Sequence, residues 1–237
     1  MMSGQWLTVG AGFAFAFLNA KVQEQRKARI ERVNSQLKLF YGPLLAAVSA
    51  THAAYSALVA QHSPDGTRAS FQRAVHAEPS GPEAVAYRLW CTSVLQPLNE
   101  QAAAIVSDHI DQLDSADLIP ELLQLVAHVA TMRVVLQRWE RGDLAASSAI
   151  TYPDRLLPRT QTEFNRVKTR QAELLGEEPP KLMAAEDAVQ LALRGPAAVA
   201  AATTAGGREA GGSGGRAPGG SSSSSRAARP AAPRAKL

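Results

Sequence analysis

Four aspartates recur every three residues, Asp108, Asp111, Asp114 and Asp117, with His109 inside the set and Glu121 just beyond it. Carboxylates at i and i+3 on a helix lie on one face, and such a pair can hold Mg²⁺ together with bound water. That chemistry needs a second acidic motif across a large apolar cavity. No matching motif occurs, and only 5% of the residues are aromatic. The same residue types also suit an acidic corner between two helices, with Asp114, Ser115 and Asp117 capping the helix that follows. The corner is the preferred reading, and Asp108, Asp111, Asp114 and Asp117 stand as its metal-binding alternative.

Other reactive side chains are isolated. His52, His62, His76, His109 and His128 form no H-x-x-x-H or H-E-x-x-H pair that would set two ligands on one helical turn. His52 falls in an apolar stripe and reads as a hydrogen-bonded core residue, whereas His128 falls on the polar side of its helix. Cys91, the only cysteine, follows Trp90 without a neighbouring base and reads as a buried thiol. No G-x-S-x-G elbow and no phosphate-binding glycine motif occurs. Arg155, Arg159, Arg166, Lys168 and Arg170 form the densest internal basic run. Asp154, Glu163 and Glu173 interrupt it and aromatics are few, so it reads as a solvated helix face rather than a nucleic-acid surface.

The elements that would position these residues are helical. Ile30, Val33, Leu37 and Phe40 are spaced 3, 4 and 3, and Leu45, Val48, His52, Tyr55 and Val59 continue at 3, 4, 3 and 4. Between the two stripes, Tyr41-Gly42-Pro43 reads as the end of one helix and the start of another. Ser63-Pro-Asp-Gly66 marks a turn, and a short helix is expected over residues 70–77. Residues 83–113 are predicted helical, with Pro97 kinking or splitting them. The strongest pattern begins at Ser115 and Pro120 and puts Leu122, Val126, Val129, Met132, Leu136 and Trp139 on one side, ending at Gly142. A last core helix is expected over 161–175, stopped by Gly176, and a weaker one over 183–194.

The two ends differ from this body. Residues 1–20 carry no charged side chain, and twenty helical residues reach roughly 30 Å, the depth of a bilayer core. Lys21, Arg26, Lys27 and Arg29 follow at once, a flank of the kind that stays cytosolic. With no Lys or Arg ahead of the apolar run, neither a cleaved secretory signal nor a mitochondrial presequence fits. A first helix buried in a soluble fold is the competing reading. From residue 195 the chain is dominated by Ala, Gly, Ser, Pro and Arg, a composition expected to stay disordered. Its last residues, Ala235, Lys236 and Leu237, resemble the C-terminal tripeptide that addresses proteins to peroxisomes.

Charge follows the same division. The formal +4 of the 237 residues resolves into +3 over residues 21–32, +5 over 195–237 and −4 over 33–194. Basicity is thus peripheral, and it gives no support to nucleic acid as a partner. One cysteine also excludes a disulfide framework.

Arg32-Val-Asn34-Ser-Gln36-Leu37, followed after three residues by Tyr41-Gly42-Pro43-Leu44, resembles the N-x-Q-L-x-x-x-Y-G-P-L junction of small helical proteins with an N-terminal membrane anchor. The similarity extends through Gln96-Pro97-Leu98-Asn99 and the helix ending at Trp139 to Gly176. That group has no assigned activity, so the resemblance implies architecture and no catalytic residue.

The expected protein is therefore all-α, with an anchor (1–20), a basic flank and juxtamembrane helix (21–42), and a four- or five-helix bundle (43–176). A linker with a short helix (177–194) and a disordered tail (195–237) complete it. Its expected role is non-enzymatic: a single-pass membrane protein whose cytosolic bundle binds or organises a protein partner, without a cofactor. A helical enzyme with an acidic site, and a peroxisomal protein, are the alternatives.

Overall fold

A computed structural model describes the backbone of residues 4–181 and the side chains from Phe17 onward. The expected helix over 183–194, the tail and the tripeptide Ala235, Lys236 and Leu237 lie outside the described residues.

Seven α-helical segments are present among the described residues: α1 (Gly4–Ser35), α2 (Gly42–His62), α3 (Arg68–Ala77), α4 (Pro82–Trp90), α5 (Gln96–His109), α6 (Ile119–Glu140) and α7 (Leu156–Leu175). They form only five continuous rods. A π-helical turn, Gln36–Tyr41, welds α1 to α2, and a second, Cys91–Leu95, welds α4 to α5.

The first weld corrects the break expected at Gly42, the second decides the open choice at Pro97 for continuity, and both have the same physical cause. A proline inside a helix lacks an N–H, and its ring collides with the carbonyl four residues back. Here the turn before each proline widens instead. The Gly42 N–H bonds Leu37 O ahead of Pro43, and the Gln96 N–H bonds Cys91 O ahead of Pro97, each five residues back. This longer pairing gives the ring room and lets the helix continue. At Gly42 the fit is close, since a β-carbon there would lie 2.6 Å from Leu37 O.

The remaining boundaries follow ordinary terminal chemistry. Thr67 caps α3 through Ser70 N, and Ser115 Oγ accepts from Asp117 N ahead of α6, as the spacing predicted. Gly142 and Gly176 take positive φ values of 90° and 77° just past α6 and α7. Helix α7 starts at Leu156, earlier than the expected 161. Pro158 is its third residue, where no intrahelical partner awaits the missing N–H.

Two apolar clusters fill the bundle. In the first, Val33, Phe40, Tyr41, Leu44 and Val48 meet Ala102 and Val106 of α5, Leu122, Leu125 and Val129 of α6, and Leu156 and Val167 of α7. In the second, Leu58, Val59, Phe71, Cys91 and Leu95 meet Met132 and Val135, beside Tyr55, Tyr87, Trp90 and Trp139. Tyr87 packs edge-on against Phe71 at 6.2 Å and Trp139 at 6.1 Å between ring centroids. Leu44, Leu122, Leu125 and Leu156 are wholly buried, each worth about 1.5–3 kcal/mol relative to exposure.

Two helical stretches, Phe17–His62 and Ala116–Glu140, are long and apolar enough to cross a membrane by length and composition. They permit a membrane location. A third of each apolar window, 33%, is buried inside the fold.

Candidate functional site

Polar side chains converge where the first π-turn meets the corner before α6 and the middle of α7. At the centre is Asp114, whose side chain is 17% exposed. Its Oδ1 accepts from Gln36 Nε2 at 2.8 Å and its Oδ2 from Arg170 Nη1 at 3.0 Å. Arg32 and Arg166 stand at 3.6 and 3.7 Å. Gln36 is buried and also donates to Gln112 O at 2.8 Å. Arg166 is shared with Glu163, 2.9 Å away. Three guanidinium groups thus face two carboxylates at this junction.

Tyr41 lies against the same cluster. Burial raises its phenol above the ordinary range, opposed by the nearby Asp114 backbone. Its hydroxyl, Gln36 Oε1 and Thr160 Oγ1 are buried atoms with no hydrogen-bond partner among the described residues. Chemically, the junction is a fastening. Asp114 spends its oxygens on an amide and on cations, which leaves it poorly placed as a base or a metal ligand.

The structure does not gather the four aspartates. Asp108, Asp111 and Asp117 are exposed; Asp111 accepts from its neighbour Gln112, and Asp117 gives its carbonyl to Arg159 Nη1 at 2.6 Å. Glu121 pairs with Arg159 at 3.2 Å. No group of three or more His, Cys, Asp or Glu able to hold a metal occurs among the described residues.

The polar side of α6 fastens the loop ahead of α7. Gln124 donates to Thr151 O at 3.1 Å, Thr131 bonds Ser148 at 2.8 Å, and His128 Nδ1 lies 2.7 Å from Ile150 O. A bond to a carbonyl requires that Nδ1 carry the proton. Burial holds the His128 pKa below its usual value, against the carbonyl's upward pull. Protonation leaves the Nδ1–H donor in place, so what pH changes is the cost of charging a half-buried ring. The stability from keeping it neutral is present above the unfolded value, about 6.5, and is lost as pH falls through the folded one.

Other side chains occupy inert places. His52 is exposed, which corrects its reading as a core histidine: it is on the outer side of α2. Cys91 is buried against Tyr87, and burial pushes its thiol up to about 12. It stays protonated and is no nucleophile at neutral pH. The basic run lies on a solvated face, as expected, and most of it is paired within the chain: Arg159 with Glu121, Arg166 with Glu163, Lys168 with Gln171 and Arg170 with Asp114.

The flank of α1 is arranged differently. Every residue from 17 to 29 is exposed, including Lys21, Arg26, Lys27 and Arg29. Of this flank, Arg26 alone hydrogen-bonds the bundle among the described residues, giving Nε and Nη2 to Leu174 O at 3.2 and 2.8 Å. Between α1 and the last turn of α7 runs a groove of about 320 Å³.

The partners of Asp114 escaped the sequence reading, although Gln36 and Tyr41 belong to the junction quoted above. The available signal was two hydrogen-bonding side chains lodged among Val33, Leu37 and Phe40. Comparison with family models, curated proteins and solved structures found no match for this chain.

Proposed function

We propose that this protein is a membrane-anchored helical adaptor, held by residues 1–20 and presenting its bundle on the cytosolic side to a protein partner. One observation carries the anchoring: the apolar side chains of α1 described between Phe17 and Val22 are unpacked. Phe17, Leu18 and Val22 are 68%, 59% and 59% exposed. Leaving such side chains in water forgoes about 1.5–3 kcal/mol each, a cost that lipid around the helix removes. The basic residues that follow mark the cytosolic edge.

The partner-binding half rests on α6, which is apolar on two sides. Beyond its core side it carries an outer stripe, Leu123, Ala127, Ala130 and Val134, spaced 4, 3 and 4. Leu123 and Val134 are 56% and 57% exposed. That is the spacing of a helix-pairing seam.

Membrane fractionation tests the anchoring. The chain is expected in the pellet after a carbonate wash, and full release into the soluble fraction would refute it. Photo-crosslinking from position 134 in cells should trap one protein; no adduct there, with adducts elsewhere, would remove the outer stripe as the docking face.

A further inference from the structure

The groove between α1 and the end of α7 is lined by Val22, Gln25, Arg26, Arg29, Glu173 and Leu174. It contains two cations, one carboxylate and an apolar edge. Arg26 is held in place by its two bonds to Leu174 O, which leave Nη1 uncommitted. Arg29 makes no hydrogen bond or ion pair among the described residues and is exposed.

The geometry points to a phospholipid headgroup site that takes a phosphate on Arg26 and Arg29 and a primary ammonium on Glu173. This rests on the anchoring proposed above, which sets the depth. If the span ends at residue 20, Val22 and Arg26 lie about 3 and 9 Å further along the helix and Arg29 about 14 Å. The headgroup layer is roughly 5–8 Å deep on each side. Helical side chains tilt toward the N-terminus, here toward the membrane, so both guanidinium groups reach back to phosphate level. Arginine suits this role because its planar fork binds phosphate oxygens in pairs. Val22 and Leu174 provide the apolar edge against which the upper acyl chain rests.

Glu173 sets the headgroup class. A purely anionic lipid would bring its charge toward this carboxylate, whereas ethanolamine brings an ammonium to pair with it. Choline pairs with it more weakly, since its quaternary nitrogen is charged but has no N–H to donate. The occupant assigned here is therefore a phosphatidylethanolamine of the cytosolic leaflet.

The full chain, reconstituted in vesicles of phosphatidylcholine containing either phosphatidylethanolamine or phosphatidylglycerol, provides the test. Flotation reports anchoring, and native mass spectrometry of the detergent-extracted protein reports retained lipid. Ethanolamine lipid should be retained about two- to fivefold over choline or glycerol lipid, the range of a single exposed ion pair. Glu173→Gln should abolish that preference while keeping some phosphate binding, and Arg29→Ala should lower retention of every phospholipid. Equal retention of the three lipids, or a preference unchanged in both variants, overturns the site while leaving the anchor intact. Failure to float with any vesicle overturns the anchor, and the site with it.

Discussion

The two π-turns solve the same problem in opposite surroundings. Each widens one helical turn ahead of a proline so that the rod continues through it. At Gln36–Tyr41 the residue before proline is Gly42, pressed so closely on Leu37 O that no side chain fits. At Cys91–Leu95 the same position holds Gln96, whose Nε2 reaches Val129 O at 3.2 Å and Glu100 Oε1 at 3.1 Å. The first turn borders the arginine-ringed Asp114; the second lies in the aromatic cluster with Cys91. A π-turn is thus a backbone answer to proline, and its neighbours decide whether the surplus room is filled by charge or by packing.

That contrast can be broken by substitution. Gly42→Ala should be the most damaging, costing about 2–4 kcal/mol because its β-carbon meets backbone that cannot yield; chemical denaturation of both variants gives the comparison with Gln96→Ala, expected to lose only about 1 kcal/mol. Equal losses would mean that the two turns are not differently constrained. Asp114→Asn removes the charge from the first turn alone. It should cost about 1–2 kcal/mol, with the loss shrinking in high salt as the arginines are screened; a loss independent of salt would show that Asp114 acts through its hydrogen bonds alone.

Thr160→Val should instead stabilise, by roughly 1 kcal/mol, because it replaces a buried hydroxyl without a partner by a methyl group of the same shape. A fall in the melting temperature would show that the hydroxyl is satisfied. The smallest effect concerns the second turn. With the Cys91 thiol raised by burial to about 12, the unfolded chain ionises first. The stability this adds is complete below the unfolded value, about 8.5–9, and is lost as pH rises toward 12. Cys91→Ser should flatten the alkaline part of the stability curve, and an unchanged slope would place the lability elsewhere.

Much of this fold is legible in the sequence because helical packing is written at short range. The stripes through Val33 and Phe40, and through Leu122, Val129 and Met132, are the ones that enter the clusters. Gly142 and Gly176 end helices where they stand for the same local reason. The weld at Gly42 was not legible. Gly-Pro before an apolar stripe fits a new helix as well as a continued one, and the choice is made by whether both halves share one core. Val33 and Leu44, on either side of Gly42, do share it. The candidate junction was half legible: Ser115 as a cap follows from type and position, but the arginine on Asp114 comes from Arg170, 56 residues away. His52 was misplaced because the stripe through Leu45 follows one edge of the buried face, whose middle is Leu44, Ala47, Thr51 and Leu58.

The first weld also has a mechanical consequence. From Gly4 to His62 the backbone is one uninterrupted helix, about 88 Å long at the usual rise. No loop along it can absorb a twist. Torque applied at the apolar end is therefore passed along the shaft, through the closely fitted turn at Gly42, to Leu58 in the far cluster. The two ends are coupled by stiffness, and a change in how the first helix sits would be felt where the aromatic rings meet.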